Sequence, residues 1–154
     1  EAAKMEHQVV MSPTTFAYLD YSQGDHSVEN RIYADLYLEK SYKFEPIPEG
    51  VNAKYILGGQ GNLRTEVIPD LQYAYYMTYP RAFALAETLW SPKENKNWDS
   101  FISRTEAHFD RFDAEKSNIS KAVLDPIISM YKEDDKLMCK LENHVPNTEI
   151  YYTI

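Results

Sequence analysis

The chain has 154 residues, 44% of them hydrophobic and 26% charged; as a prior this is about one domain of ordinary globular composition. A formal charge of −8 opposes nonspecific binding to nucleic acid or anionic lipid, because both rely on Lys and Arg to neutralise phosphates. No apolar run approaches the roughly 20 residues of a membrane helix, and no signal-peptide pattern opens the chain, so neither a nucleic acid nor a membrane is expected as a partner.

The opening residues, Glu1 to His7, read as the tail of a helix that started earlier. Gln8 to Met11 form a short strand rich in β-branched residues, stopped at Ser12-Pro13 because proline lacks the amide that a central ladder needs. Thr14 to Asp20 then lie on the loop where that strand emerges. Residues 21–52 are loop-rich, with a short helix expected around Arg31 to Glu39 and a Pro46, Pro48 pair beyond it. A second strand follows at Tyr55, Ile56 and Leu57, closed by Gly58 and Gly59 and leading to the carboxylate of Glu66. Those glycines permit positive φ and close backbone approach at a point where a side chain would collide with a ligand.

Asp70 is placed to cap a helix carrying Leu71, Ala74, Tyr75 and Thr78 on one face. Pro80 restricts Tyr79 and suits a helix start, after which Phe83, Ala86, Glu87 and Trp90 continue at helical spacing until Ser91-Pro92. Another helix is expected from Asn97 or Trp98 through Phe101, Thr105, His108, Phe109 and Phe112. Arg81 and Glu87 suggest an ion pair with neighbouring elements, and Trp90 and Trp98 suggest packing between helices. From Ser120 the period changes to two, giving strands at Ile127 to Tyr131, Lys136 to Leu141 and Glu149 to Ile154. The acidic run Glu133-Asp134-Asp135 falls on the turn between the first two and reads as solvated charge. A boundary is expected near Ser117 to Lys121, dividing the chain into residues 1–118 and 119–154. The second part is shorter than the roughly 40 residues below which domains usually need staples.

The fold class expected is therefore α/β. Strand, loop, helix, strand, loop, helix is the pattern of a (β/α)₈ barrel, whose sites lie at the carboxyl ends of the strands. Tyr18 with Asp20, and Arg64 with Glu66, both fall at such ends. A full barrel needs roughly 250 residues, so this chain holds only part of one. The 13 Tyr, 2 Trp and 6 Phe suit stacking on sugar rings and equally suit a core. Cys139 is the lone cysteine, without a partner for an intrachain disulfide. His7, His26, His108 and His144 are scattered without metal-ligand spacing. No metal or other cofactor is expected.

Three blocks, VVMSPTTFAYLD from Val9, YILGGQGNLRTE from Tyr55 and YPRAFALAETLWSPKENKNW from Tyr79, together resemble the family 20 glycoside hydrolases, the β-N-acetylhexosaminidases, most closely the bacterial members. The resemblance implies the last βα units of a catalytic TIM barrel followed by the start of a C-terminal β-sandwich-like domain. It implies hydrolysis of terminal N-acetylhexosamine from glycans by a retaining, substrate-assisted mechanism, in which the substrate's acetamido oxygen attacks the anomeric carbon to give an oxazolinium. In the family an adjacent Asp-Glu pair on an earlier strand orients that group and protonates the leaving oxygen; no such pair stands at a strand end here.

By match to the motifs, Tyr18 would be catalytic, its phenol holding the acetamido carbonyl as the ring forms. Asp20 and Glu66 would bind sugar hydroxyls, Glu66 at the nonreducing end. Arg64 joins them as a substrate-binding residue but departs from the family, which has a pocket-wall tryptophan there; a guanidinium can instead stack, hydrogen-bond a hydroxyl, or pair with Glu66 or Asp20. Glu6 is a smaller departure, near a position where the family often has glycine. The expected partner is an N-acetylhexosamine glycan, and the family's bacterial members imply a periplasmic, cell-surface or secreted parent. The isolated chain is expected to be inactive, the alternatives being weak binding of N-acetylated sugars or self-association through exposed barrel edges.

Overall fold

The computed structural model describes residues 1–25, 29 and 33–153. The chain opens with a 3₁₀ turn over Ala2–Met5, ended by Glu6 in the left-handed region at φ 64°. That conformation carries a Cβ penalty that glycine avoids, which is a physical reason for a glycine preference near this point.

Strand β1 (Val9–Met11) and strand β2 (Ile56–Gly59) pair in parallel, Val10 opposite Gly58 and Met11 opposite Gly59. Among the described residues between them lie two short α-helices, α1 (Thr14–Ala17) and α2 (Leu38–Tyr42), and a 3₁₀ turn over Ala53–Tyr55. The helix expected around Arg31 to Glu39 begins only at Leu38, and Arg31 lies outside the described residues. The reason is tertiary: Ser22 donates its N–H to Ala34 and Leu36 donates to Ser22, holding 34–36 extended and sinking Leu36 to 1% exposure. Two strands in a parallel pair joined through helices are α/β construction.

Beyond β2 come α3 (Leu71–Thr78), α4 (Arg81–Trp90) and α5 (Trp98–Ala114). Asp70 Oδ1 accepts from the Tyr73 amide at 2.8 Å and Asn97 Oδ1 from the Ser100 amide at 2.8 Å, so both N-termini are satisfied by the residues that sequence rules favour for caps. The buried face of α4 is Arg81, Ala84, Leu85 and Thr88, one position away from the stripe read from Phe83, Ala86, Glu87 and Trp90. Trp90 is 89% exposed and packs between no helices. On α3, Leu71 is likewise exposed and Met77 is the buried residue.

Helix α4 divides the interior. Ala84 joins Leu38, Tyr42, Phe101, Ile102 and Val145 in one cluster, with Trp98 against it. Leu85 joins Ala17, Leu19 and Phe44 in a second, flanked by Met11, Leu63 and Leu89. Glu87 reaches α5, where Arg104 grips its carboxylate with two hydrogen bonds of 2.7 Å; a bidentate pair of this kind is the strong form of the interaction. Lys96 donates to the Tyr42 carbonyl at 2.6 Å and to Thr88 Oγ1 at 2.9 Å, a cation placed at the carboxyl end of α2 where the helix dipole favours it.

Strands β3 (Ile127–Glu133) and β4 (Lys136–Glu142) form an antiparallel hairpin with Asp134 and Asp135 at its turn, both at positive φ. The third expected strand, Glu149 to Ile154, does not form: residues 149–153 have no regular structure, and Ile154 lies outside the described residues. After β4 the chain turns back onto the helices. Trp98 Nε1 donates to the His144 carbonyl at 2.7 Å, and Val145 is buried in the first cluster, so the segment never reaches a free strand edge.

The two glycines of β2 serve different ends: Gly58 adopts a positive φ of 137° with nothing near its missing Cβ, whereas Gly59 accommodates protein. A Cβ on Gly59 would lie 2.7 Å from Leu89 Cδ2, 3.0 Å from Phe44 Cε1 and 3.3 Å from the Met11 carbonyl, so close packing of β2 against α4 requires its absence. Gly59→Ala is therefore expected to lower stability by about 1–3 kcal/mol through overpacking, read as a lower midpoint in urea denaturation; an unchanged midpoint would contradict the packing account.

Candidate functional site

Beyond α1 the chain runs back alongside the continuation of β2. Tyr18 bridges Asn62 in parallel: the Asn62 amide donates to the Ala17 carbonyl at 2.8 Å, and Leu19 donates to the Asn62 carbonyl at 2.6 Å. Side chains also tie the two strand ends together, Ser12 Oγ donating to the Gln60 carbonyl at 2.9 Å and Asn62 Nδ2 donating to Ser12 Oγ. Extended backbone places residues two apart on one side, so the partner of Tyr18 sets Arg64 beside it.

Arg64 and Tyr18 meet in two ways. The guanidinium carbon lies 4.8 Å from the Tyr18 ring centroid, and Arg64 Nη2 donates to the Tyr18 hydroxyl at 3.1 Å. A phenol oxygen that accepts from a cation has its own O–H proton free to point away from that donor. Arg64 pairs with neither Glu66 nor Asp20; among the described residues it has no carboxylate within 4.0 Å. Glu66 is exposed and, among the described residues, makes no hydrogen bond or ion pair. Tyr21 packs edge-on to Tyr18 at 6.0 Å, completing an aromatic and cationic ledge.

Asp20 sits beneath that ledge at 2% exposure, its Oδ1 without a hydrogen-bond partner among the described residues. What holds it there is Arg81, which the sequence suggested as half of an ion pair and which is a carbonyl clamp instead. Fully buried, Arg81 donates from Nη2 to Leu19 (2.7 Å) and Met77 (2.5 Å), and from Nη1 to Tyr21 (2.8 Å) and Leu36 (3.2 Å). Two of those carbonyls flank Asp20 directly. Burial pulls the Arg81 pKa down to about 9, opposed by the charges of Glu29 and Asp20, so the guanidinium remains protonated at neutral pH. No sequence signal short of the fold identifies this role, because its partners are backbone atoms from three separate segments.

A cavity of about 270 Å³ lies elsewhere, lined by Gly24, Asp25, Glu29, Tyr76, Asp125, Pro126 and Ile128. The Glu29 carboxylate in it accepts from the Gln23 amide at 2.8 Å and from the Tyr76 hydroxyl. Burial first, and the bond to Glu29 second, push the Tyr76 phenol up to about 12. Among the described residues no group of three or more His, Cys, Asp or Glu side chains is arranged to hold a metal ion. His26 lies outside the described residues.

Arg81→Met is expected to cost about 3–5 kcal/mol, because removing one side of a buried charged network leaves its partners uncompensated. Arg81→Lys should recover only part, since an ammonium has three donors and no planar fork. Chemical denaturation measures both, and a loss under 1 kcal/mol for the methionine variant would contradict the clamp.

Residues 1–93 match the family described as "Glycosyl hydrolase family 20, catalytic domain". The chain is 38% identical over 108 residues to a beta-hexosaminidase of Porphyromonas gingivalis, covering 67% of this chain and 14% of that protein. It is 32% identical over 111 residues to a beta-N-acetylhexosaminidase of Cellulomonas fimi, covering 70% of this chain and 22% of that one. Among solved structures, an exo beta-N-acetylglucosaminidase from Vibrio harveyi superposes with a TM-score of 0.70 at 32% identity, covering 78% of this chain and 20% of the other. The Streptomyces plicatus N-acetyl-beta-hexosaminidase bound to Thio-NAglucal does so with a TM-score of 0.71 at 25% identity, over 78% and 25%. The chain thus spans under a quarter of the length of either of these curated relatives. With 93 of its 154 residues matched, the chain belongs to glycosyl hydrolase family 20.

Proposed function

We propose that this chain is the closing sector of a β-N-acetylhexosaminidase barrel together with the start of a following β-rich domain, the division falling near residues 117–121. The observation that carries this is the meeting of Tyr18 and Arg64 at the carboxyl ends of two adjacent parallel strands, where barrel enzymes hold their substrates. The parent releases terminal N-acetylhexosamine from glycans with retention, the substrate's own acetamido group acting as nucleophile. Tyr18 donates its phenol to the acetamido oxygen and stabilises the charge that gathers as the oxazolinium closes. As the acceptor from Arg64, the Tyr18 oxygen keeps its proton free for that task.

Asp20 acts on a sugar hydroxyl through a neighbour, its own carboxylate being buried at 2% exposure. Glu66, without a partner among the described residues, accepts from hydroxyls at the nonreducing end, and Arg64 contributes a donor where the resemblance implies an apolar wall. The family's setting makes the parent periplasmic, surface-bound or secreted.

The isolated chain has no adjacent Asp-Glu pair and therefore no acid to protonate the leaving oxygen, so it should be inactive. A chromogenic N-acetylglucosaminide assay of the pure chain should give no turnover above buffer, and turnover would overturn the reading of this chain as a sector without its proton donor.

A second reading is favoured by the apolar surface left bare. Val10 and Leu57 on the parallel pair are exposed at 50% and 61%, and a two-stranded parallel sheet has unpaired edges that recruit further strands. The chain alone should therefore self-associate, appearing as dimers or larger species in light scattering at high concentration; a clean monomer would sink that reading.

A further inference from the structure

Helix α2 has five residues, and a helix that short has almost no stability of its own. Its position is set by what it touches. Two contacts tie it to the strand-end site. Ser41 is fully buried and its Oγ donates to the Phe16 carbonyl at 3.0 Å, two residues ahead of Tyr18. Just upstream of α2, the Leu36 carbonyl accepts from Arg81 at 3.2 Å, the same side chain that holds the Leu19 and Tyr21 carbonyls on either side of Asp20.

Further support for α2 comes from the segment that follows β4. Val145 is 7% exposed among Leu38 and Tyr42 of α2 and Ala84, Phe101 and Ile102, and among the described residues it is the one buried member of that cluster from beyond residue 121. The neighbouring His144 gives its carbonyl to Trp98 Nε1 at 2.7 Å, sets its ring edge-on to Tyr37 and lies 3.6 Å from the Glu39 carboxylate. The segment is braced from within: Asn143 Oδ1 accepts from the Val145 amide at 2.6 Å, and Thr148 Oγ1 donates to the Val145 carbonyl at 2.8 Å. Asn143 Nδ2 also donates to the Leu124 carbonyl at 3.1 Å, which joins it to the chain just before β3.

From this run of contacts we infer that residues 143–148 are a strap through which the β-rich segment positions the strand-end site, with α2 as the intermediary. The inference rests on the reading of Tyr18 and Asp20 as site residues and adds Val145 and His144 as positioning residues, which act on them through α2 and the Arg81 clamp. Trimming Val145 opens space beside Leu38. A helix with so little stability of its own relaxes into that space, and the Ser41 and Leu36 contacts move with it.

The test is hydrogen exchange and the Tyr18 ring resonances of the 154-residue chain in three variants. Val145→Ala trims the strap, Trp98→Phe keeps a ring and removes the donor to His144, and Leu137→Ser is a control at an exposed hairpin position. In the first two, the amides of Ser22 and Leu36, which bond the Ala34 and Ser22 carbonyls, should exchange on the order of tenfold faster through local opening. The Tyr18 ring should shift, the Phe109 amide in α5 should keep its rate, and the control should match the unaltered chain. Where Val145→Ala does not fold, Trp98→Phe decides. Unchanged exchange at Ser22 and Leu36, an unmoved Tyr18 ring, or a control that behaves like the strap variants overturns the inference. Equal acceleration at Phe109, or loss of folding with either change, makes the strap ordinary core packing and overturns it too. Because no sugar enters the measurement, its failure leaves the site reading standing, whereas N-acetylglucosamine binding elsewhere on the chain, read by the same resonances, would sink that reading and leave the strap in place.

Discussion

A fully buried guanidinium organises this chain. Arg81 takes up the carbonyls of Leu19, Tyr21, Leu36 and Met77, which belong to loops and a helix end that no strand ladder could satisfy. A buried carbonyl without a donor costs about 1–3 kcal/mol, so the clamp offsets several such losses and makes the irregular path of residues 19–21 tenable. The positive charge also sits close enough to Asp20 to act on it, which allows a carboxylate with an unsatisfied oxygen to remain at 2% exposure. The geometry around Asp20 is thus set from below by a residue that grips the backbone on both sides of it and places its charge nearby.

The second constraint is the thinness of the sheet. Two parallel strands bury one face against α4 through Gly59, Leu85 and Leu89 and leave Val10 and Leu57 in solvent. Trp90 at 89% exposure is the extreme case, since burying an indole contributes more than almost any other side chain. The hairpin repeats the theme. Ile128, Met130, Leu137, Cys139 and Leu141 fall on one face with Lys132 by the cross-strand register, while Ser129, Glu133, Lys136, Lys140 and Glu142 share the other with Ile127, Tyr131 and Met138, and the more apolar face is largely bare. An amphipathic ribbon with its apolar side uncovered is the pattern of a sheet face awaiting a second layer.

What could be read in the sequence was local. The cap at Asp70, the helix start at Asn97 or Trp98, the proline stops at Pro13 and Pro92, the β2 run ending in glycine and the Asp134-Asp135 turn each depend on a few neighbouring residues, and each stands where propensity places it. The failures were non-local. The α4 stripe is displaced by one residue because its buried side is chosen by two clusters and a clamp rather than by hydrophobicity along the helix. The helix near Arg31 starts later because Ser22 draws 34–36 into an extended bridge. The third strand is absent because Trp98 and the first cluster capture His144 and Val145. In the site, the strand-end placement of Tyr18 and Arg64 was legible, whereas their stacking and the burial of Asp20 depend on the Tyr18–Asn62 bridge and on Arg81.

Arg64 shows how far a single departure can be carried by geometry. A tryptophan wall would offer a flat apolar face at this position, whereas the Arg64 guanidinium carbon lies over the Tyr18 ring, 4.8 Å from its centroid. The change is in solvation. An indole beside a sugar gains by shedding water from both, whereas a guanidinium keeps its water until an acceptor replaces it. Tyr18 is one such acceptor and satisfies one donor; the others need oxygen atoms from elsewhere. The departure therefore replaces a side chain that gains by shedding water with one that holds its water until an acceptor arrives.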